Sequence, residues 1–213
     1  HKTYLVLPQF DAGLLSPEDL EYLAALARKY NVPKTKITGA QRVAFLGMKP
    51  EALDALRKEL HLPDTLPHKR GQLHYVQACP GKTWCRYGHR DALSLGERIR
   101  AIELTGPLPA KVKVGISGCR FNCCESWVRD VGLTGESTGW RLTFGGNAAG
   151  RPRIGDVIAQ GLTDEEAVTL VTATLNYYIR EARFKTRSAR FVERFGIDAL
   201  KKAVLGRGTA IKE

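Results

Sequence analysis

The sequence has 213 residues, of which 43% are hydrophobic and 26% charged, and this composition excludes an intrinsically disordered chain. The length suits one large domain or two small ones, and no stretch approaches the roughly 18 consecutive apolar residues of a membrane-spanning helix. The net charge of +11 favours an anionic partner. Because the basic residues are scattered and form no Lys/Arg-rich block, we do not predict a nucleic-acid-binding protein.

The N-terminal part of the chain predicts a strand followed by a helix. Residues 3–7 (TYLVL) have the composition of a short strand. Ser16 is suited to cap a helix that Pro17 begins and that runs to about Tyr30. Its apolar stripe is predicted at Leu20, Leu23, Ala24 and Ala27.

Residues 36–46 predict one further strand, and a second helix follows. The alternation would place Arg42 on the face away from the core, because the opposite face carries Ile37, Val43 and Phe45. Pro50 is expected to begin the helix, and its apolar side is formed by Leu53, Leu56 and Leu60. Strand, helix, strand and helix in this order predict a small α+β unit.

We predict a domain boundary after Pro67, and hence domains at 1–67 and 68–213. The second domain is expected to begin with a strand over 72–78, to continue with strands over 111–117 and 140–144, and to have a loop at 105–110. In the strand over 111–117, Lys111 and Lys113 share one face, and the other carries Val112, Val114 and Ile116.

Helices are predicted between and after these strands. One has an apolar stripe at Ala92, Leu95, Ile99 and Ile102. The other begins with a capping box of Thr163 and Glu166, and its apolar side is Val168, Val171, Leu175 and Tyr178. A basic segment follows at 184–196.

The five cysteines are an odd number, and their spacing does not suggest a disulfide scaffold. A reducing compartment with cysteines as metal ligands is the better interpretation, so we predict a cytoplasmic protein. The chain begins at His1 rather than Met, which points to processing or trimming of a longer sequence.

Four of the cysteines form two pairs, Cys79 with Cys85 and Cys119 with Cys123. The five-residue spacer of the first pair is longer than the roughly two to four residues usual in structural zinc sites, whereas an iron–sulfur cluster tolerates looser spacing. One helical turn would place Cys119 and Cys123 on the same side, with Cys124 about 100° further round. Two disulfides, or buried thiols without a common role, are the alternatives.

These segments resemble a known family. ACPGKTWCRYG (78–88), KVGISGCRFNCCES (113–126) and the turn GGN (145–147) are similar to the sirohaem-containing nitrite and sulfite reductases, and KITGAQRVAFLG (36–47) is similar to their ferredoxin-like half. The resemblance covers nearly the whole chain and is greatest to the small, single-repeat assimilatory-type sulfite reductases. It implies a ferredoxin-like N-terminal half followed by an α/β sirohaem and [4Fe–4S] domain.

The resemblance implies that Cys79, Cys85, Cys119 and Cys123 bind a [4Fe–4S] cluster, and that Cys123 also bridges to the sirohaem iron. Lys111 and Lys113 match the family's lysine pair at the substrate face, where they would stabilise a bound oxyanion and supply protons. Cys124 is not expected to be a ligand.

Several other residues are candidates for the carboxylates of sirohaem. Arg42 is one, with a substrate contact as its second role, although the family's arginine often stands at the position of Ala40. Arg86 and Arg120 flank cysteines, and Arg120 departs from the proline common in the family. The turn formed by Gly145, Gly146 and Asn147 could present backbone N–H groups to a carboxylate.

The expected activity is six-electron reduction of sulfite to sulfide. Reduction of nitrite to ammonia is the alternative, and an iron–sulfur electron carrier without sirohaem is a third hypothesis. No strand–GxGxxG–helix motif is present, so we expect an acidic electron donor such as ferredoxin or flavodoxin. Larger family members have two copies of this unit, so either a homodimer closes the pocket or a monomer has a more open site.

Overall fold

The structure is a computed structural model that describes residues 4–7, 11–62 and 73–206. The chain divides into two compact units, His1–His68 and Lys69–Glu213. Within the described ranges, no helix is both long enough and apolar enough to cross a membrane.

The N-terminal unit packs two helices on a three-stranded antiparallel sheet. Its elements are β1 (Tyr4–Val6), a short 3-10 helix (Asp11–Gly13), α1 (Pro17–Lys29), β2 (Lys34–Ile37), β3 (Val43–Leu46) and α2 (Pro50–Glu59), with sheet order β1-β3-β2. The predicted caps are confirmed: the Ser16 hydroxyl accepts from the Asp19 N–H, and Pro17 and Pro50 begin the two helices.

The predicted stripe of α1 is wrong at one position. Leu20 is 54% exposed, whereas Leu23 and Leu26 are buried. Two overlapping i, i+3, i+4, i+7 series contain both Leu23 and Ala27. The predicted series begins at Leu20, whereas the observed series begins at Leu23 and includes Leu26, which brings more apolar surface into the core.

The single strand predicted over 36–46 is also wrong, because β2 and β3 form a hairpin in which Ile37 pairs with Val43. In the turn, the Gln41 N–H donates to the Thr38 carbonyl (2.9 Å) and the Thr38 N–H to the Arg42 carbonyl (2.8 Å). Gln41 adopts a φ of 57°. This left-handed conformation is unusual for glutamine, so composition did not reveal the turn.

The C-terminal unit is built on a five-stranded mixed sheet of order β4-β5-β6-β7-β8. The strands β4, β5 and β6 are parallel, and β7 and β8 continue antiparallel. The strands are β4 (Tyr75–Ala78), β5 (Lys113–Ser117), β6 (Val131–Glu136), β7 (Gly139–Phe144) and β8 (Asp156–Leu162). The helices are α3 (Gly81–Trp84), α4 (Ala92–Arg100), a 3-10 helix (Ser126–Val128), α5 (Asp164–Glu181), α6 (Ser188–Phe195) and α7 (Ile197–Leu205).

The main core lies between this sheet and its helices, and most of its predicted members are confirmed. Val112, Val114 and Ile116 are fully buried, as are the predicted residues of α4 from Ala92 to Ile99. The capping box of Thr163 and Glu166 is present at the start of α5. Since β4 and β5 are parallel, their carboxyl ends meet at one edge of the sheet, and a cysteine segment follows each of them.

Candidate metal centre

The two cysteine segments are joined through backbone hydrogen bonds. Cys79 directly follows β4, and its N–H donates to the Ile116 carbonyl at 3.1 Å. The Cys79 sulfur in turn accepts from the Gly118 N–H at 3.0 Å. The first thiol is therefore fixed against the start of the segment that carries Cys119.

Gly118 allows the segment of Cys119 to contact also the residues that follow Cys85. Its carbonyl accepts from the N–H groups of His89 (2.8 Å) and Arg90 (3.1 Å). A Cβ at this position would lie 2.7 Å from the Arg90 carbonyl oxygen and 2.9 Å from the Gly81 Cα, both of them backbone atoms. Only glycine lets the segment of Cys85 approach that of Cys119 so closely.

The helical turn predicted between Cys119 and Cys123 is wrong. The segment forms two consecutive tight turns, in which the Asn122 N–H donates to the Cys119 carbonyl (3.2 Å) and the Glu125 N–H to the Asn122 carbonyl (2.8 Å). Asn122 has a φ of 57°, which interrupts a right-handed helix. Consequently the two thiols differ: Cys119 is buried and Cys123 is exposed.

The four candidate thiols are nevertheless close enough to interact. Burial raises the pKa of the Cys123 thiol, and Cys79, Cys119 and Cys85 raise it further because a thiolate there would meet their negative charges. All five cysteines are free. Iron would supply the positive charge that holds several neighbouring thiolates in ionised form.

The donor set consists of thiols, which are the ligands that iron–sulfur clusters use. Among the residues that the structure describes, no three His, Cys, Asp or Glu side chains are grouped closely enough to hold one metal ion. The thiolates of an iron–sulfur cluster bind different irons and stand apart by the size of the cluster. Four free thiols on two hydrogen-bonded segments therefore have the chemistry that a [4Fe–4S] group requires.

Cys124 is the most deeply buried of the five cysteines. It is 2% exposed and packs in the main core, and its N–H donates to the Ser117 hydroxyl at 3.1 Å. Burial, with Cys79 and Cys123 nearby, raises the pKa of Cys124 to about 12. Burial thus sets Cys124 apart from the exposed Cys123 beside it.

Lys113 and the turn of Cys123 lie on the same face of β5. Gly115 is two residues from Lys113 and so projects to the same side; a Cβ on it would lie 2.4 Å from the Cys124 carbonyl oxygen. The half-buried Lys113 ammonium lies 5.8 Å from the Tyr75 ring centroid, and Lys111 is exposed just before the strand. Burial lowers the pKa of Lys113, Arg187 and Arg129 lower it further, and Asp130 opposes them.

The arginines beside the cysteines are exposed and lie near an aromatic pair. The Arg86 guanidinium carbon lies 4.6 Å from the Tyr87 ring centroid and also bonds its hydroxyl. Tyr87 meets Phe121 edge to face at 5.0 Å, and Arg120 directly precedes Phe121. The two cysteine segments thus share one surface that is both aromatic and cationic.

Two of the three N–H groups of the glycine turn are used within the chain. Gly145 donates to the Asp130 carbonyl and Asn147 to the Arg153 carbonyl, each at 2.9 Å. Gly146, the third residue of the turn, is buried against the backbone of Trp127 and Arg129, so the expected role of this turn in binding a carboxylate stays a prediction. Arg42 belongs to the N-terminal unit, where it is half-buried at the end of the hairpin turn and its N–H donates to the Thr38 hydroxyl at 3.2 Å.

Sequence reasoning missed a buried polar group on the Lys113 side of the sheet. Asp130 is 1% exposed and accepts from the Lys113 N–H (2.9 Å), from the Arg187 guanidinium (3.0 and 2.8 Å) and from the Ser188 hydroxyl. Its neighbour Arg129 is 8% exposed. Nothing in the local sequence marks either residue as buried, since consecutive charges usually lie at the surface.

Two family comparisons cover the described units. The family "Nitrite and sulphite reductase 4Fe-4S domain" matches residues 71–210, and the family "Nitrite/Sulfite reductase ferredoxin-like half domain" matches residues 1–62. The assimilatory-type sulfite reductase of Nitratidesulfovibrio vulgaris is 46% identical over 204 residues, which are 96% of this chain and 93% of that protein. The NAD(P)H nitrite reductase of Bacillus subtilis is 34% identical over 92% of this chain, which spans only 24% of that enzyme.

Solved structures share the fold at low identity. The Mycobacterium tuberculosis NirA protein superposes with a TM-score of 0.72 at 20% identity, over 95% of this chain and 40% of that one. Dissimilatory sulfite reductase I superposes with a TM-score of 0.75 at 13% identity, over 97% of this chain and 69% of that one. The predicted fold class, a ferredoxin-like half followed by one α/β repeat, is confirmed.

Proposed function

The chain belongs to the nitrite and sulfite reductase family, and we propose that it reduces sulfite to sulfide with six electrons. In this proposal Cys79, Cys85, Cys119 and Cys123 bind a [4Fe–4S] cluster, and Cys123 also ligates sirohaem. The observation that carries it is the arrangement of the cysteine segments. The Cys79 N–H donates to Ile116 and the Cys79 sulfur accepts from Gly118, which joins the two segments, and Cys123 is exposed, so that a second metal group can reach it.

When bound, the two cofactors would store and deliver electrons at a substrate-binding iron. Cys123, as the residue proposed to hold both groups, would provide a route for electrons between them. The exposed Arg86, Arg120 and Lys111 would offset the carboxylates of sirohaem.

Lys113 is suited to hold the substrate anion and to donate protons to it. Each oxygen that leaves sulfite departs as water and takes two protons, so three oxygens consume six protons with the six electrons. Because the pKa of Lys113 is lowered by burial and by neighbouring cations, its ammonium gives up a proton more readily than an exposed lysine would. Lys111, which is exposed to solvent just before the strand, would return protons to it.

Reduction of nitrite to ammonia by the same groups is the second candidate, because nitrite reductases share about a third of their residues with this chain over the matched length. The near full-length match to an assimilatory-type sulfite reductase favours sulfite. An acidic one-electron carrier such as a ferredoxin or flavodoxin fits the net charge of +11 as donor. Either a homodimer or a monomer with an open site is compatible with a single repeat.

The test begins with anaerobically purified protein. We expect visible absorption of an iron isobacteriochlorin and of an iron–sulfur cluster, and extraction of the macrocycle by acid acetone. Sulfite and nitrite supplied as competing substrates then decide between the two activities. A cluster without macrocycle would identify an electron carrier, and a colourless protein without iron would refute the proposal.

Cys123→Ser and Cys124→Ser form a matched pair for the ligand assignment. We expect the first substitution to remove sirohaem and disrupt the cluster, because it deletes the shared ligand. The second should leave both in place, since Cys124 is only 2% exposed and is not one of the proposed ligands. Equal loss of iron from both variants would contradict the assignment.

A further inference from the structure

Arg129 is a buried cation attached to the turn that carries Cys123. Its side chain is 8% exposed, although an isolated guanidinium is costly to remove from water. It forms an ion pair with Glu125 at 2.7 Å and donates to the Tyr75 hydroxyl at 2.9 Å. Its Nε also approaches the Cys124 carbonyl oxygen at 3.4 Å. Arg129 therefore joins the residues immediately after Cys123 to strand β4.

The surroundings leave space for this arginine. A Cβ at Gly115 would lie 2.8 Å from the Arg129 Cγ and 2.4 Å from the Cys124 carbonyl oxygen. Because Gly115 has no side chain, β5 leaves room where the arginine and the turn pack against it. Burial raises the pKa of Tyr75, which keeps the phenol protonated and its oxygen available as an acceptor. The guanidinium thus has a partner on the sheet and others on the turn.

We propose that Arg129 is a positioning residue for Cys123: it holds the Cys123–Glu125 turn against β4 and β5, and it would contribute a positive charge near a bound cluster. This rests on the proposed function. The Cys124 carbonyl is one residue from the bridging thiol, so a shift of the turn changes the direction of the Cys123 sulfur. A fixed positive charge nearby stabilises the reduced, more negative cluster and raises its reduction potential.

The test compares Arg129→Met, Arg129→Lys and the control Arg98→Met in the loaded protein. Arg98 pairs with Glu165 between α4 and α5. In the described part of the chain, no hydrogen bond or ion pair joins Arg98 to the cysteine segments. We expect Arg129→Met to lower the midpoint potential of the cluster and to change its electron paramagnetic resonance spectrum. Arg129→Lys should recover part of the potential, because it keeps the charge. Arg98→Met should leave both unchanged.

A second variant covers the case in which Arg129→Met does not fold. Glu125 is 58% exposed, so Glu125→Gln is expected to fold; it removes the negative partner and should shift the potential upwards, opposite to Arg129→Met. Amide hydrogen exchange in residues 119–126 of the iron-free chain gives a readout that needs no cofactor. We expect faster exchange there in Arg129→Lys than in Arg98→Met.

The outcomes separate the two proposals. Wild-type protein that contains neither cluster nor sirohaem overturns the proposed function. Amide hydrogen exchange still tests, in that case, whether Arg129 fixes the turn. Loaded variants with wild-type potential and spectrum, or exchange at 119–126 equal to that of the control, overturn the role of Arg129. A lower melting temperature with unchanged potentials also overturns it, because the arginine would then serve stability alone.

Discussion

Replacing Asp130 by Asn tests how the C-terminal helices are held to the sheet. The carboxylate is 1% exposed, and its donors come from β5 and from the residues that begin α6, namely Lys113, Arg187 and Ser188. The Asn carbonyl can accept from some of them, but its NH2 group must face another donor. The substitution keeps the volume and removes the charge.

The expected loss in the free energy of unfolding follows from how deeply Asp130 and Arg187 are buried. Removing one partner of a buried ion pair typically costs about 3–5 kcal/mol, because the other is left uncompensated. The Arg187 side chain is 34% exposed and can recover part of its hydration, which places the estimate near the lower end. We therefore expect a loss of about 3 kcal/mol, on the order of a hundredfold in the unfolding equilibrium.

Chemical denaturation of the full chain, with chelator and reductant present and followed by tryptophan fluorescence, measures this loss. Asp156→Asn is the control: Asp156 pairs with Arg153 three residues away and is 33% exposed, so we expect at most about 1 kcal/mol. With Arg187→Met, the double mutant should lose clearly less than the sum of the two single losses. A loss below about 1 kcal/mol for Asp130→Asn, or strict additivity, would refute the reasoning.

Three further predictions concern the site and the N-terminal unit. Gly118→Ala should lower iron content several-fold, because its Cβ would push the two cysteine segments apart. The control Gly150→Ala, whose Cβ would have no atom within 4 Å, should leave iron content unchanged. Equal iron content in both variants would contradict the role of Gly118. Lys113→Arg should keep the KM for sulfite within a few-fold and lower kcat by about 10²-fold or more, since arginine does not give up its proton. In the wild type, activity should fall as pH rises through the Lys113 pKa, which burial and neighbouring cations lower from that of an ordinary lysine. An alkaline limit that persists in Lys113→Arg would contradict that assignment. Leu26→Ala should lose about 2–5 kcal/mol in calorimetric unfolding, whereas Leu20→Ala, at an exposed position, should lose little.

The sequence was most informative where local chemistry decides local structure. The caps at Ser16 and Thr163 and the buried faces of α4 and β5 all depend on neighbours within a few residues, and all are confirmed. The failures at 36–46 and 119–123 have a common cause. Each contains a non-glycine residue with positive φ, Gln41 or Asn122, held by backbone hydrogen bonds of the folded turn rather than by its own preference.

The polar groups that support the site could not be predicted for a different reason. Asp130 accepts from residues 17, 57 and 58 positions away in the chain, so its burial depends on how α6 returns to β5. Arg129 reaches Tyr75, 54 positions away. Periodicity reports which face of an element is apolar, and gives no information on which distant element brings a polar partner.

Strand β5 supports both the core and the candidate site, because its side chains alternate between two faces. One face carries Val114 and Ile116 into the core. On the other, Lys113 presents its ammonium, Gly115 leaves room for the Cys124 carbonyl and Arg129, and the Ser117 hydroxyl accepts from the Cys124 N–H at 3.1 Å. A shift of one residue in pairing would turn all three inward. Because one strand supports both the lysine and the turn of Cys123, a single repeat brings them to the same face without a second copy.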